Sequence, residues 1–512
     1  TDREVMIQLD RDHDIEWSGK RHPFFAKYRV GYTSDGMLKA AEIELVSDGG
    51  WSLDLSQPVC DRALFHLDNT YFIPHLRFSG RVAKTNTTSH TAFRGFGGPQ
   101  GMLVIEEIMG RIAQELELRP EEVRSKNFYH GNCDTNTTHY GQVVEGNRIP
   151  RIWPDLLEST NFADRRAEIN SWNASHHNRK RGMAITPVKF GISFTLKHYN
   201  QAGALVLIYA DGSVQVNHGG TEMGQGLHTK ILGVAMRELG LQAETIRLMH
   251  TRTDKVPNTS ATAASSGSDL NGMAVADACR QLRERLMPLA AQSLGCDITE
   301  IRFADGQVSG SRSSMTFSEL AATAYTERIQ LSAAGFYKTP DIDWDWNIGK
   351  GKPFHYFAFG AAVSEVEIDG YTGIHHIRRV DILHDVGDSL NAAIDRGQIE
   401  GGFVQGAGWL TNEELKWSPE GKLLTHSAST YAIPTFSDTP IEFRVSLLKD
   451  AAQDRTIHGS KAVGEPPLML ALSVREALRD GIEAFGVKPR SDEFPSPLTP
   501  ERLKGAIGEA KP

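Results

Sequence analysis

Hydrophobic and polar positions along this chain fall into two periods, and the switches between them mark its elements. Ala204 to Val216 (ALVLIYADGSVQV) reads as two short strands joined at Asp211-Gly212, an Asp-Gly hairpin turn. From Ile231 to Leu239 the apolar spacing is helical. Phe24 to Gly31 and Leu38 to Val46 read as strands around the turn Ser34 to Gly36. Met102 to Leu116 reads as an amphipathic helix, and Glu121 to Asn127 as a short one after Pro120. Further helices are predicted near Phe162 to Trp172, over Met273 to Leu286, and over Leu468 to Phe485. Gly191 to Leu196 (GISFTL) reads as a strand with Phe194 and Thr195 on opposite faces. The chain opens in strand-like text at Glu4 to Leu9, without an initiator Met, as a piece of a longer protein would.

These elements divide into two β-rich sections separated by a polar stretch. The division predicts a first subdomain over 1–150, a linker over 151–182, a second subdomain over 183–490, and a peripheral Pro-, Ser- and Lys-rich tail over 491–512. Composition then acts mainly by exclusion. With 40% apolar and 23% charged residues the chain is globular, and a net charge of −9 makes nucleic acid a poor partner. The longest basic run is Arg179 to Arg181, which a solvated loop explains. No apolar run approaches the roughly 18 residues of a membrane span. The four cysteines, Cys60, Cys133, Cys279 and Cys296, are scattered without a CxxC pair. That argues against an iron–sulfur or zinc site on this chain and fits a reducing cytoplasm.

Glycine is high at 48, and several stretches use it where chemistry is expected. His218 to Lys230 (HGGTEMGQGLHTK) places four glycines between a strand and a helix, where backbone N–H groups and a helix N-terminus can converge on an anionic or polar ligand. A tight turn without a ligand explains one such stretch equally well, but others recur. Thr91 to Gly101 (TAFRGFGGPQG) carries Arg94, and Phe96 between two glycines either projects into a cleft or caps the helix below. Thr259 to Gly272 (TSATAASSGSDLNG) offers hydroxyls and bare backbone, or is a flexible linker. Gly397 to Gly408 (GQIEGGFVQGAG) repeats the pattern as a fourth loop, with Gln398. None contains GK[ST], and none has GxGxxG spacing after a strand, so P-loop and nicotinamide readings lack support. One large polar ligand touched by several loops fits better. In Lys461 to Pro467 (KAVGEPP), Glu465 falls at a helix start, where it is either a positioned general base or an N-cap. Arg62, in a short mixed run, reads on its own as a surface or paired cation.

Taken together and in this order, TAFRGFGGPQ, HGGTEMGQGLHTK, VPNTSATAAS, GQIEGGFVQG and KAVGEPP resemble the molybdopterin-binding part of the xanthine dehydrogenase and xanthine oxidase family. The resemblance runs from GKRHPF (Gly19 to Phe24) to Pro467. It implies an α+β fold of two elongated mixed subdomains with the cofactor between them, and hydroxylation of purines, hypoxanthine to xanthine to urate, at a molybdenum centre. By matching motifs, Glu465 is the general base that takes the proton from the hydroxo ligand, while hydride passes to the sulfido ligand. Arg62, Phe96, Phe194 and Thr195 bind the substrate. Arg94, Met223, Gly224, Gln225, Ala264, Ser265 and Gln398 hold the cofactor, and no side chain ligates the metal. Aldehyde oxidases usually lack the purine-clamping arginine, so Arg62 favours purines over aldehydes or other N-heterocycles. Gly267 stands where many relatives have a serine that touches the cofactor. The resemblance also implies an upstream half of the molybdenum subunit, partner domains carrying FAD and two [2Fe–2S] clusters, and a dimer of such assemblies. A chain that binds a polar cofactor without catalysis is the remaining alternative.

Overall fold

The computed structural model describes residues 2–131, 135–490, 492 and 494–508. Cys133 therefore lies outside the described residues. Two strands of 14 residues, Arg179–Ile192 and Tyr356–Asp369, pair antiparallel along their whole length and make a wall through the molecule. Side chains alternate across it, as the pleat requires. Met183, Ile185, Phe357, Phe359, Ala361 and Val363 face a first core. Val188, Phe190, Tyr356, Ala358, Ala362 and Val366 face a second. Because both faces are covered, the strands read as nearly continuous apolar text. His375–His384 extends this sheet antiparallel and Glu442–Leu447 closes it in parallel.

The first core is enclosed by a sheet of Phe24–Tyr32, Leu38–Gly50 and His75–Lys84 and by helix Gly98–Leu116. The second is enclosed by helices Ala392–Thr411 and Leu472–Glu483. A third core lies between the sheet of Ser332–Lys338, Gln201–Ile208, Val214–His218 and Ile246–Leu248 and the helices Leu227–Leu239 and Gly267–Leu294. Both predicted hairpins form, with Gly212 at φ 86° in the Asp-Gly turn.

Six expectations are corrected. Residues 4–9 form no strand, and Val5, Met6 and Ile7 stand 75–88% exposed, because an isolated strand without a paired neighbour has no ladder to join. The GISFTL strand stops at Ile192, where its partner strand begins at Tyr356, so Phe194 and Thr195 hang beyond its end. Residues 151–182 are not a linker. Helices Ile149–Ser159 and Phe162–Ser175 occupy most of the span and send Ile152, Trp153, Leu156 and Ile169 into the first core. Gly397 to Gly408 is not a loop but the interior of helix Ala392–Thr411. Its glycines admit neighbours instead of bending the chain: a Cβ on Gly406 would lie 2.2 Å from the Leu468 carbonyl oxygen, and one on Gly402 2.9 Å from Pro467. The Leu468 to Phe485 helix is shorter than expected, since Pro466–Ala471 is a 3-10 turn and the α-helix runs only over Leu472–Glu483. The tail is not peripheral. Phe494, Leu498, Leu503 and Ile507 are buried in the second core, and the guanidinium groups of Arg475 and Arg479 lie 4.5 and 4.6 Å from the Phe494 ring.

Candidate functional site

Five separated segments converge on a cavity of about 520 Å³, in the range of small-molecule sites. Its lining takes Arg94 and Phe96 from the first glycine-rich turn, Met223 and Gln225 from the second, Ala264 and Ser265 from the third, Gln398 from the glycine-bearing helix, and Glu465. Gly224 lies in the same turn as Met223. These stretches thus line one cavity, although one of the four is helical.

Glu465 is held from three sides. Its Oε1 accepts the Gly95 N–H at 3.1 Å and its Oε2 accepts the Ser265 hydroxyl at 3.0 Å. Its own N–H donates to Ser265 Oγ at 2.8 Å. It is the N-cap residue of the 3-10 turn, as one reading expected, but makes no side-chain cap bond, so its carboxylate is not spent on capping. Arg94 ties the segments together: Nε donates to the Gly464 carbonyl at 2.6 Å, Nη1 to Gln405 at 3.2 Å and Nη2 to the Gln398 carbonyl at 3.1 Å. Burial pulls its pKa below the usual arginine value, and the nearby Glu465 carboxylate opposes that pull. Gly95, Phe96 and Gly97 all have left-handed backbones, at φ 93°, 50° and 94°. Gly97 cannot carry a side chain, since a Cβ would fall 2.0 Å from the Val59 carbonyl oxygen.

The central glycine-rich turn departs from expectation in an instructive way. Its amides do not converge on open space. Glu222 folds back, and its carboxylate accepts the N–H groups of Gly224, Gly226 and His228, each at 2.9 Å. Burial raises the Glu222 pKa, but these amides outweigh it and leave the group below its ordinary value. Gln225 is also engaged within the turn, donating to the Thr221 carbonyl at 2.8 Å.

Arg62, Phe194 and Thr195 do not line the cavity. Arg62 is buried, its Nη1 and Nη2 donating to the carbonyls of Ser193 (2.9 Å) and Gly191 (2.5 Å), with its guanidinium 4.7 Å from the Phe190 ring and 5.2 Å from that of Phe354. Its Nε is buried without a partner. It thereby pins the strand end from which Phe194 and Thr195 hang. Phe194 packs 5.6 Å from Tyr199, and Asn200 holds both its N–H (2.9 Å) and its carbonyl (2.8 Å).

Sequence reasoning assigned no role to a polar layer that brings Lys230, Asp395 and Lys461 to the cavity wall. Lys230 pairs with Asp395 at 2.5 Å and Lys461 with Asp385 at 2.5 Å. Asp269 accepts the Tyr356 hydroxyl at 2.6 Å, and Tyr356 in turn accepts the Ala462 N–H at 2.8 Å. Burial pushes the Asp269 carboxyl up to about 7. Lys230, Asp269 and Lys461 lie inside motifs noted above, but nothing local marks their partners.

The lining suits a large, polar, partly aromatic cofactor. It mixes apolar surface from Phe96, Met223, Leu227 and Val463 with amides from Gln225 and Gln398, and cations from Arg94, Lys230 and Lys461. Gly464 admits close approach, since a Cβ there would lie 3.1 Å from Ser265 Oγ.

Comparison with known proteins bears on what that ligand is. Two family models, both described as a molybdopterin cofactor-binding domain, match residues 1–128 and 155–440. The chain is 49% identical to xanthine dehydrogenase/oxidase of Gallus gallus over 99% of its own length, and 48% identical to xanthine dehydrogenase of Oryza sativa subsp. japonica over 98%. It spans 36% of the length of each of these relatives. Among solved structures it is similar to quinoline 2-oxidoreductase from Pseudomonas putida 86, with TM-score 0.86, 23% identity, and coverage of 98% of this chain and 64% of that one. It is also similar to the aldehyde oxidoreductase of Desulfovibrio desulfuricans, with TM-score 0.82, 24% identity, and coverage of 98% and 51%. At these identities the structural likeness establishes the fold.

Proposed function

This chain belongs to the molybdopterin cofactor-binding family, and from that premise we propose that it forms the substrate-oxidising part of a purine hydroxylase converting hypoxanthine to xanthine and xanthine to urate. The observation that carries the reading is Glu465, a carboxylate set on the lining of the cavity and held by donors from two other motifs. The molybdenum cofactor, when bound, supplies the oxidant and the oxygen nucleophile for the hydroxylation.

This chain's residues do the rest. Glu465 is the general base: each oxygen carries one hydrogen bond, which leaves lone pairs to receive the proton released as the nucleophile forms. Arg94, Met223, Gly224, Gln225, Ala264, Ser265 and Gln398 surround the cofactor. Phe96 offers its ring to the heterocycle, and Phe194 and Thr195 complete the substrate side from the strand end that Arg62 pins. The protein acts with an upstream segment and with domains or a partner bearing FAD and two [2Fe–2S] clusters, as a cytoplasmic dimer. The relatives at 48–49% identity, named for xanthine, support the purine assignment.

One observation favours a second reading, oxidation of aldehydes or other N-heterocycles. The Arg62 guanidinium is committed to two backbone carbonyls and lies outside the cavity lining. The test uses the full-length protein carrying this chain, with molybdenum content and urate formation from xanthine measured together. Glu465→Gln is expected to abolish turnover at unchanged molybdenum content. Arg62→Leu is expected to lower purine turnover by ~10²-fold more than aldehyde turnover; equal losses on both favour the second reading. Unchanged activity in Glu465→Gln defeats both and leaves a non-catalytic cofactor-binding chain.

A further inference from the structure

The segment that faces Glu465 carries unusual backbone geometry. Ala264 and Ser265 are consecutive non-glycine residues in the left-handed region, at φ 54° and 57°. That conformation is unfavourable for side chains with a Cβ and persists only where the surroundings impose it. Its effect is to bring one hydroxyl onto residue 465 twice. Ser265 Oγ accepts the Glu465 N–H at 2.8 Å and donates to Oε2 at 3.0 Å. It fixes the backbone and the carboxylate together, and so sets the side-chain rotamer between them. Gly464 makes room for the approach: a Cβ there would meet Ser265 Oγ at 3.1 Å and Ser265 Cβ at 3.5 Å.

The two donors to the carboxylate are not equivalent. The Gly95 amide at Oε1 can only donate, so it cannot accept from a protonated carboxyl. A serine hydroxyl can rotate and either donate or accept. We propose that Ser265 is the positioning residue for the base: its hydroxyl holds Glu465 in place before and after proton uptake. The proposal rests on Glu465 being the base. Arg94, Arg62 and Arg21 each feel the charge of Glu465, and such attraction does not fix the turn of a carboxylate; the hydroxyl, with the Gly95 N–H, adds that orientation.

The experiment compares Ser265→Ala, Ser265→Gly and Ser265→Thr with Glu465→Gln in the full-length holoenzyme, reading kcat, KM, the pH dependence of kcat, and molybdenum and pterin bound per chain. Positioning predicts that Ala and Gly variants lose roughly 10–100-fold in kcat, the effect of one hydrogen bond to a charged group. KM and cofactor content stay near wild type. The Thr variant, which keeps the hydroxyl, recovers more activity than Gly, although Gly relieves the backbone. Cofactor loss in Ala and Gly at undiminished kcat per molybdenum overturns the proposal in favour of a cofactor-holding role. Full activity in Gly overturns it in favour of a turn with no hydroxyl function. An Ala variant that does not fold leaves the Gly–Thr comparison to decide. Activity in Glu465→Gln instead removes the base assignment itself, so the two failures are told apart.

Discussion

Glu222 and Glu465 are two glutamates in glycine-rich motifs of one binding region, yet the fold uses them in opposite ways. Glu222 is satisfied locally, by three amides no more than six residues away. Every one of its bonds can form as soon as the turn forms, and the carboxylate serves as the turn's internal anion. Glu465 is held by Gly95, 370 residues distant, and by Ser265, 200 residues distant. Its environment exists only in the finished fold. A carboxylate saturated by its own turn has little capacity left for chemistry, whereas one placed by distant donors is oriented and still able to accept a proton.

The contrast makes paired predictions, and the largest effect belongs to Glu465. With Glu465 as the proposed base, Glu465→Gln in the holoenzyme is expected to lower turnover per molybdenum by more than ~10⁴-fold, beyond the usual range for a general base because the proposed role includes generating the nucleophile, with cofactor content unchanged. Glu222→Gln is expected to do the reverse. The glutamine oxygen can still accept from Gly224 and Gly226, but its NH₂ then faces the His228 N–H, donor against donor. Retained molybdenum and pterin per chain should fall ~10-fold, while turnover per bound molybdenum stays within about threefold. If Glu222→Gln were as inactive as Glu465→Gln with its cofactor retained, the distinction between the two carboxylates would collapse.

A third carboxylate sharpens the comparison with a smaller effect. Asp269 is buried, with its carboxyl pushed up to about 7 from 3.8. Its folded pKa lies above its unfolded one, so between about pH 4 and 7 the native state binds more protons than the unfolded state, and stability falls as pH rises through that window. Asp269→Asn removes this loss. The thermal midpoint of the variant should decline less between pH 5 and 8 than that of the wild type, by about 2 °C. An identical decline in both would mean that Asp269 is ionised without penalty.

Much of this site is legible in the sequence because its loops are local objects. The Asp-Gly turn at Asp211-Gly212, the glycines around Phe96 and the prolines after Glu465 each dictate backbone geometry within a few residues. What escaped depends on packing between distant segments. Glycine is a poor helix former, so residues 397–408 read as loop, yet Gly402 and Gly406 are tolerated in a helix because a close neighbour at Pro466–Ala471 repays the missing side chains. Phe194 and Thr195 read as strand because nothing local shows that the partner strand starts opposite Ile192. Glu222 passed unremarked because the glycines around it suggested an external anion. The tail looked peripheral by composition, whereas Phe494 is buried against two arginines from a helix.

The wall formed by Arg179–Ile192 and Tyr356–Asp369 also bears on how the molecule comes apart. Each strand lends alternate residues to two cores, so a fluctuation that opens one core strips surface from the other. A slip of one residue in register would exchange the two sets of side chains wholesale. Neither core has a private boundary along which to melt, and the two therefore form one cooperative unit whose central amides exchange with solvent only when both are lost.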